Sequence, residues 1–328
     1  MHQQDGGQAR WQRLGSHSWG WLHPSPACRR WGYANAGLIT DAAATVGLLF
    51  DTQFTAAMTT AQADALAARL PAVRIETVVA SHANGDHTWG AHLFAPPAQM
   101  ITSAATAAEL ACEMTPTRLA DMIAAVPADT ALGGWLREHF GGFDFTGAAV
   151  TPPSRTFSGH HHLSLGSTAV QLIEVGPAHT GGDVIAWVPD DGVVFAGDVL
   201  FIDAHPVAWA GSILHWPRAC QAVLDTGATT IVPGHGPLTS PTGVAALRDY
   251  LHQVAGHATR THDAGVPYWQ AAAEMPLPAY ATGWAHPERL VALTALAYAE
   301  LDGVAPPSQA DLLARMATAA ADGRPSPH

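Results

Sequence analysis

Ser81-His82-Ala83-Asn84-Gly85-Asp86-His87 follows directly on the apolar residues 77–80. That order predicts a strand that delivers polar side chains into the loop at its end. Two histidines and one aspartate fall within six residues there, and the end of a rigid strand can hold such groups in a fixed geometry. The stretch therefore indicates a metal-binding site at the edge of a sheet.

Three further motifs place metal-competent side chains beside glycines at the ends of apolar runs. His179 lies in GPAHTGG, Asp198 ends the sequence FAGD, and His235 lies in PGHG. One such motif alone would be a weak signal, but four of them in this order are specific. Imidazole and carboxylate ligands together suit a borderline divalent ion such as Zn²⁺, which lowers the pKa of bound water to about 7.

The composition is that of a globular chain of 328 residues with few charges. Hydrophobic residues make up 48% and charged residues 13%, which excludes an intrinsically disordered protein. The formal net charge is −12 and the 15 Lys and Arg residues are spread along the chain, so we expect no nucleic-acid partner. The three cysteines are scattered, which predicts reduced thiols and not disulfides.

Targeting and membrane-spanning segments are not evident in the sequence. Residues 1–6 lack the basic stretch followed by an apolar stretch that is typical of a secretory signal. No apolar run approaches the roughly 20 residues needed to span a bilayer. We therefore expect a soluble, cytoplasmic protein that has no membrane partner and acts on a small molecule.

The hydrophobic patterns alternate twice between strands and helices. Residues 33–51 predict a hairpin of buried strands, 56–70 a helix, and 74–80 the strand before the first motif. A mostly helical segment over 103–140 follows, and residues after 241 are again helical in pattern. The remaining predicted strands lie at 169–175, 184–188, 193–196 and 229–232. By themselves these patterns indicate an α/β fold.

The ordered set H-x-N-x-D-H, H, D, H resembles the metallo-β-lactamase superfamily, whose usual first motif is H-x-H-x-D-H. The resemblance covers about residues 30–240 and implies a four-layer αββα sandwich. We expect a catalytic domain over residues 18–240 with a helical insert at about 103–155. The flanking segments that we expect are a flexible N-terminus (1–17), a C-terminal helical extension packed on the same domain (241–322) and a frayed tail (323–328).

The resemblance also implies two sets of metal ligands that share Asp198. The first set adds His82, Asn84 and His179, and the second set adds Asp86, His87 and His235. Asn84 stands where the superfamily usually has a second histidine, and an amide oxygen is a weaker donor than imidazole. We therefore expect one firmly bound Zn²⁺ at the second set and a weaker, second ion at the first. Iron or manganese, which tolerate oxygen ligands better, is the alternative metal.

Asn84 also has a purely structural interpretation, as the residue that shapes the turn before Gly85. Two other polar features have structural interpretations of the same kind. Asp183 is predicted to anchor the loop after His179 by hydrogen bonds. The three histidines at 160–162 are predicted to lie on a solvated strand edge or turn.

Four side chains are candidates for proton transfer. If the first ligand set holds no ion, His82 or His179 lies free near the activated water and acts as general base. Asp86 is another group that can shuttle the proton. His205 follows seven residues after Asp198, where the chain is expected to run over the metal cleft, and is a candidate substrate-binding or proton-transfer group.

Three classes of function compete for this set of residues. We favour a zinc-dependent hydrolase that uses metal-activated water to open an ester, lactone, thioester or amide of a small molecule. A di-iron oxidoreductase of the same fold is the alternative, and Asn84 counts against it because such a centre needs two intact ligand sets. The third class is a degenerate metal-binding protein without catalysis. The oligomeric state is left open, with a homodimer as one option.

Overall fold

Two β-sheets form the centre of the protein in the computed structural model, which describes residues 8–94 and 98–323. The larger sheet has seven strands that lie side by side in sequence order: β1 (Arg10–Arg13), β2 (Ser18–Leu22), β3 (Ala36–Thr40), β4 (Val46–Phe50), β5 (Arg74–Val79), β6 (Gln99–Ser103) and β7 (Arg155–Phe157). The smaller sheet has five strands: β8 (His160–Leu165), β9 (Thr168–Glu174), β10 (Val184–Val188), β11 (Val193–Phe195) and β12 (Thr230–Val232). Their order across the sheet is β12-β11-β10-β9-β8.

Parallel pairing brings the carboxyl ends of several strands to one edge. β4 pairs in parallel with β5, and β5 with β6, in a register that sets Phe50 beside Val79. In the smaller sheet β11 pairs in parallel with β12, and Phe195 lies beside Val232. Because polar motifs follow these strands, the register collects their side chains at the same end of the sheets.

The two sheets pack face to face across an apolar core. Ile39, Leu48 and Phe50 of the larger sheet belong to one buried cluster with residues of the smaller sheet: Val170, Leu172, Val184, Val193 and Phe195. The strands β3, β4, β10 and β11 are covered almost completely along their length. Burial on both faces explains why their sequences are continuous apolar runs and do not alternate with polar residues.

Helices cover the outer faces of both sheets, which confirms the predicted αββα sandwich. The helices of the described residues are α1 (Ala56–Arg69), α2 (Gly85–Thr88), α3 (Ala104–Leu110), α4 (Pro116–Ala125), α5 (Ala131–His139), α6 (Trp216–Asp225), α7 (Pro241–Asp263), α8 (Tyr268–Ala273), α9 (Leu290–Asp302) and α10 (Gln309–Ala321). Leu66 of α1 packs against Trp19 and Leu38 of the larger sheet. Helices α6 and α7 share a buried cluster with Ile185 and Val194 of the smaller sheet.

The helical insert and the C-terminal extension contact each other. Helix α10 packs against α5 of the insert, while α9 packs against α7 and α8. The extension therefore lies against the part of the chain that precedes residue 241. Across residues 8–94 and 98–323, no helix combines the length and the apolar character that crossing a membrane would require.

The first strand lies within residues 1–17, which we expected to be flexible. Strand β1 pairs with β2, Trp11 Nε1 donates a hydrogen bond to the carbonyl of Gln62 at 3.0 Å, and the indole packs on Trp21. These contacts order residues 10–13, so the expectation is wrong for this part. Residues 1–7, and the tail residues 324–328 that we expected to be frayed, lie outside the described residues.

Gly37 sets how closely the two sheets approach. A Cβ atom at this position of β3 would lie 2.5 Å from the ring of Phe195 in the opposite sheet. We expect Gly37→Ala to lower the free energy of unfolding by about 2 kcal/mol, because overpacking a rigid core costs energy of that order. Urea denaturation measures the change. Gly20→Ala in β2 is the control, since its Cβ would meet only flexible leucine side chains at 3.1 Å, and equal losses at the two positions would contradict the argument.

Candidate metal centre

The four sequence motifs converge at the carboxyl ends of the parallel strands. His82 follows β5, Asp198 follows β11, His235 follows β12, and His179 lies in the connection between β9 and β10. Asp86 and His87 lie in the short helix α2. The imidazoles of His82, His87, His179 and His235 and the carboxylate of Asp198 are all buried. The structure therefore brings together residues that are up to about 150 positions apart in the sequence.

Asp198 lies at the centre of this cluster. Its Oδ1 is 3.1 Å from His87 Nε2, and its Oδ2 is 3.4 Å from His235 Nε2, 3.5 Å from His179 Nε2 and 3.8 Å from His82 Nε2. His235 Nε2 also lies 3.3 Å from Asp86 Oδ2. Two triplets have all their ligand atoms within 4.8 Å of one another: His82, His87 and Asp198, and Asp86, His87 and His235.

Several buried polar atoms of the cluster have no hydrogen-bond partner among the described residues. They are His82 Nε2, His87 Nε2 and Asp198 Oδ1; the last two lie 3.1 Å apart, but without the alignment that a hydrogen bond requires. Buried polar atoms in folded proteins are almost always paired, so an unpaired group of two imidazole nitrogens and a carboxylate oxygen needs an explanation. A divalent cation would satisfy His87 Nε2 and Asp198 Oδ1, because imidazole and carboxylate are its usual ligands, and His82 Nε2 lies 3.8 Å from the same carboxylate group. The residues present therefore fit a metal ion.

Asp51 orients two of the imidazoles, a role that the sequence analysis missed. Its Oδ1 accepts the backbone N–H of Ser81 at 2.7 Å, and its Oδ2 accepts the Ser81 hydroxyl and His87 Nδ1, each at 2.8 Å. Because the hydroxyl proton of Ser81 goes to Asp51, Ser81 Oγ accepts a hydrogen bond from His82 Nδ1 at 2.8 Å. The Nε2 atoms of both rings consequently face the cluster. The Nε2 of neutral His82 carries a lone pair, whereas Asp198 and Asp51 raise the pKa of His87 well above its usual range against the effect of burial, so a cation would displace a proton from its Nε2. The available signal was that Asp51 follows the apolar strand β4 directly.

Asn84 pairs with His179. Its Oδ1 lies 2.7 Å from His179 Nε2, while His179 Nδ1 donates to the backbone carbonyl of Val207. Burial lowers the pKa of His179, so the ring is neutral and its Nε2 carries a lone pair. A half-turn of the Asn84 amide presents its NH₂ group to that lone pair. In that orientation the Asn84 amide donates a hydrogen bond to the nitrogen through which His179 would bind an ion.

Burial and mutual attraction shift the pKa values of the cluster. Burial would raise the pKa of Asp86, but His87 and His235 lower it to about 2. Burial would also raise the pKa of Asp198, but His235 and His87 hold it well below its usual range. Burial lowers the pKa of His82 far below its usual range, so this ring is neutral. The pKa of His235 rises to about 9 against the effect of burial, because Asp198 and Asp86 stabilise its charged form, and a proton therefore competes with a cation there.

His205 is not brought to the cluster. Its ring is buried, its Nδ1 lies 2.7 Å from the hydroxyl of Tyr250, and it packs against Trp284. It is also absent from the lining of the cavity beside the cluster, so the geometry does not support the catalytic role expected for it. Val207 and Trp209, just after it, do line the cavity, so the chain stays at the cleft and only the His205 side chain is directed away from it, which residue spacing cannot reveal.

Two structural interpretations from the sequence agree with the observed contacts. Asp183 accepts the backbone N–H of Thr180 at 2.9 Å and its hydroxyl at 2.8 Å, so it fixes the loop that carries His179. The histidines at 160–162 lie at the start of β8, which is the edge strand of the smaller sheet. They take no part in the cluster.

A cavity with apolar walls opens beside the cluster. It contains about 670 Å³ of space free of protein atoms, part of which is open to solvent. Its polar wall includes Asn84, Asp86, His179, Asp198 and His235, and its other walls include Trp31, Phe54, Trp89, Leu119, Phe140, Phe201, Val207, Trp209 and Leu313. Such a cavity is typical of a small-molecule site, with few polar groups among apolar walls. Arg289 and Glu113 also line it, and the sequence carried no signal for either.

The fold and the cluster together define an α/β sandwich protein with a candidate divalent-metal centre. The chain belongs to the metallo-beta-lactamase superfamily, whose family model matches residues 29–235. No protein with a curated description matches the chain. This match confirms the resemblance from which the fold was predicted.

Solved structures with the same fold include enzymes of two kinds. The stereoselective inverting sec-alkylsulfatase Pisa1 from Pseudomonas sp. superimposes with a TM-score of 0.69 and 17% identity, over 93% of this chain and 52% of its own. The metallo-beta-lactamase from Pontibacter korlensis has a TM-score of 0.55 and 17% identity, over 75% of this chain and 99% of its own. The DIM-1 metallo-beta-lactamase has a TM-score of 0.54 and 15% identity, over 75% of this chain and 98% of its own.

At these identities the likeness shows the fold alone. The chain spans about half the length of the sulfatase, whereas it contains nearly the whole length of the two lactamases. A match over 93% of this chain must include most of residues 241–322, so the C-terminal extension has a structural counterpart in the sulfatase.

The Asp51 hydrogen bonds give the first test of the metal centre. We expect Asp51→Asn to weaken metal affinity about 10- to 100-fold, because the amide no longer fixes the tautomers of the two imidazoles. Asparagine also tolerates the left-handed backbone of this position, where φ is +65°. Competition with a chromogenic chelator measures the affinity.

Asp191→Asn is the matched control for this variant. Asp191 accepts the backbone N–H groups of Ser16 and His17 at 2.7 and 2.9 Å and takes no part in the cluster. Metal affinity should stay at the wild-type value in this variant. An equal loss of affinity in both variants would mean that Asp51 acts only through general stability.

Proposed function

We propose that the protein is a metal-dependent hydrolase that uses activated water to open an ester, lactone, thioester or amide of a small molecule. The observation that carries the proposal is the unpaired cluster around Asp198, placed in the wall of an apolar cavity. Membership of the superfamily supports it, as do neighbours whose names describe a sulfatase and lactamases.

The second ligand set is our proposal for the main metal site. Asp86, His87, Asp198 and His235 would hold the ion, since two carboxylates and two imidazoles give it a balanced charge and suit Zn²⁺. A divalent ion supplies Lewis-acid chemistry, by which water is activated and negative charge developing on a carbonyl oxygen is stabilised. Asp86 is ionised, because its pKa is about 2, and is proposed to relay the proton taken from water to the leaving group.

His82 is the proposed general base. Its Nε2 carries no hydrogen-bond partner among the described residues, and it faces Asp198 at 3.8 Å. Burial keeps the ring neutral, and Ser81 holds its Nδ1, so Nε2 can take a proton from water. His179 is less suited to this step, because Asn84 already engages its Nε2. The same pairing argues against a di-iron oxidoreductase, which would need His179 as a free ligand.

Metal content tests the proposal directly. Protein purified without chelator should contain about one zinc per chain by plasma mass spectrometry. Asp198→Ala should lose the metal and fall below about one-hundredth of the wild-type rate on 4-nitrophenyl esters, lactones or thioesters, because both the ion and its central ligand are gone. Asp190→Ala, which removes an exposed carboxylate, is the control. Two irons per chain would favour the oxidoreductase, and no metal after reconstitution would favour the degenerate binding protein.

Asn84→His tests whether the first ligand set is compromised by its asparagine. We expect the metal content to rise from about one ion towards about two, because the new imidazole completes that set and releases His179. Asn84→Ala is the matched control, which also frees His179 but adds no ligand, and it should keep the wild-type content. A stoichiometry that stays the same in Asn84→His would show that the asparagine does not limit metal binding.

A further inference from the structure

Arg289 places a buried positive charge in the cavity beside the metal centre. It lies at the end of the helical turn Pro287–Arg289, directly before α9, and only 2% of its surface is exposed. Its guanidinium carbon is 3.9 Å from the ring centroid of Trp31, and its Nη1 donates a hydrogen bond to the backbone carbonyl of His205 at 3.0 Å. The side chain therefore has one defined orientation.

The guanidinium group is only partly satisfied. Its Nε is buried and has no hydrogen-bond partner, and among residues 8–94 and 98–323 no carboxylate forms an ion pair with it. The adjacent Glu288 is directed to His286, whose Nδ1 lies 3.1 Å from Glu288 Oε1. Burial lowers the pKa of Arg289 to about 10, so the group stays charged at neutral pH. A buried, unpaired cation is costly, and its cost is relieved when an anion binds.

The remaining lining of the cavity indicates the chemistry of the rest of the ligand. Aromatic rings and aliphatic side chains make up most of its lining, including Trp31, Phe54, Trp89, Phe140 and Trp209. Glu113 also lines it, but burial raises the pKa of this carboxyl to about 7, so it opposes an anion less than an ionised group would. A ligand with an apolar body and a single anionic group matches this distribution.

We propose that Arg289 binds the anionic group, a carboxylate or a sulfate, of an otherwise apolar substrate and thereby determines specificity. That the ligand is a substrate rests on the proposed hydrolase function; that it is an apolar anion rests only on Arg289 and the cavity. The bond to be cleaved would lie near the Asp198 cluster, and the fork of N–H donors would hold the acidic end.

Binding of probes with an octyl chain tests the proposal without requiring turnover. Octyl sulfate, nonanoate, 1-octanol and octyltrimethylammonium share this apolar chain and differ in the head group. Isothermal titration calorimetry on the metal-containing protein should give at least about 10-fold tighter binding of an anionic probe than of 1-octanol, because charge-assisted hydrogen bonds are worth that factor. Arg289→Met should remove this preference and leave 1-octanol within about 2-fold of the wild type.

The control variant is Arg315→Met. Arg315 lies 4.8 Å from the ring centroid of Trp269, so it makes a similar cation–π contact, but it does not line the cavity beside the metal centre. Its loss changes the net charge by the same amount and should leave all four affinities unchanged. Loss of affinity for only one anion in Arg289→Met would identify the head group as sulfate or carboxylate.

Activity provides the second readout. A 4-nitrophenyl monoester of glutarate and 4-nitrophenyl pentanoate share a leaving group and a five-carbon acyl chain, and only the first is anionic. Arg289→Met should raise KM for the anionic ester about 10-fold and leave the neutral ester unchanged. Hydrolysis of neither ester, together with Arg289-dependent anion binding, would count against ester hydrolysis and leave the binding role intact. Equal effects on both esters would overturn the role of Arg289.

The wild-type protein alone can also refute the proposal. If Arg289→Met does not fold, Arg289→Lys keeps the charge and tests the forked geometry, and it should retain part of the anion preference. Binding of 1-octanol by the wild type as tightly as either anion would show that the buried charge does not select the ligand.

Discussion

Two buried carboxylates, Asp51 and Asp198, and the partly buried carboxylate of Asp86 lie where the two sheets meet, and the surrounding structure is arranged to satisfy them. Asp51 is satisfied by hydrogen bonds from Ser81 and His87, while Asp198 and Asp86 face imidazoles that are not fully paired. Ionised carboxylates cannot be buried without donors or cations around them. Asp51 therefore orients its neighbours through hydrogen bonds, whereas Asp198 and Asp86 form the part of the cluster that is open to a cation.

This arrangement depends on close backbone approach at two glycines. A Cβ at Gly234 would lie within bonding distance of Asp198 Oδ1, and Gly197 has a positive φ of +51° with Ser81 directly against it. The glycines that flank the motifs are thus required by the packing around the ligands. The cost is a larger loss of chain entropy on folding, which other parts of the core must offset. The face-to-face packing of the apolar strands provides that compensation.

The two parts of the cavity come from different parts of the chain. Residues before position 236 carry the cluster, whereas Arg289 and Leu313 come from the C-terminal extension. Part of the cavity wall is therefore built by a segment separate from the one that carries the cluster. The sulfatase match extends over the extension and the lactamase matches cover three quarters of the chain, which fits such a separation.

The sequence by itself determined the order of the motifs, their positions at strand ends and, through the resemblance, the αββα sandwich. Those features are local, because an apolar run followed by a polar glycine-rich loop predicts its own geometry. Only the tertiary structure decided that Asp51 orients His82 and His87, that Asn84 pairs with a histidine 95 residues away, and that Arg289 lies in the cavity. His205 was placed wrongly for the same reason: side-chain direction after a turn depends on packing with distant segments, which residue spacing does not encode.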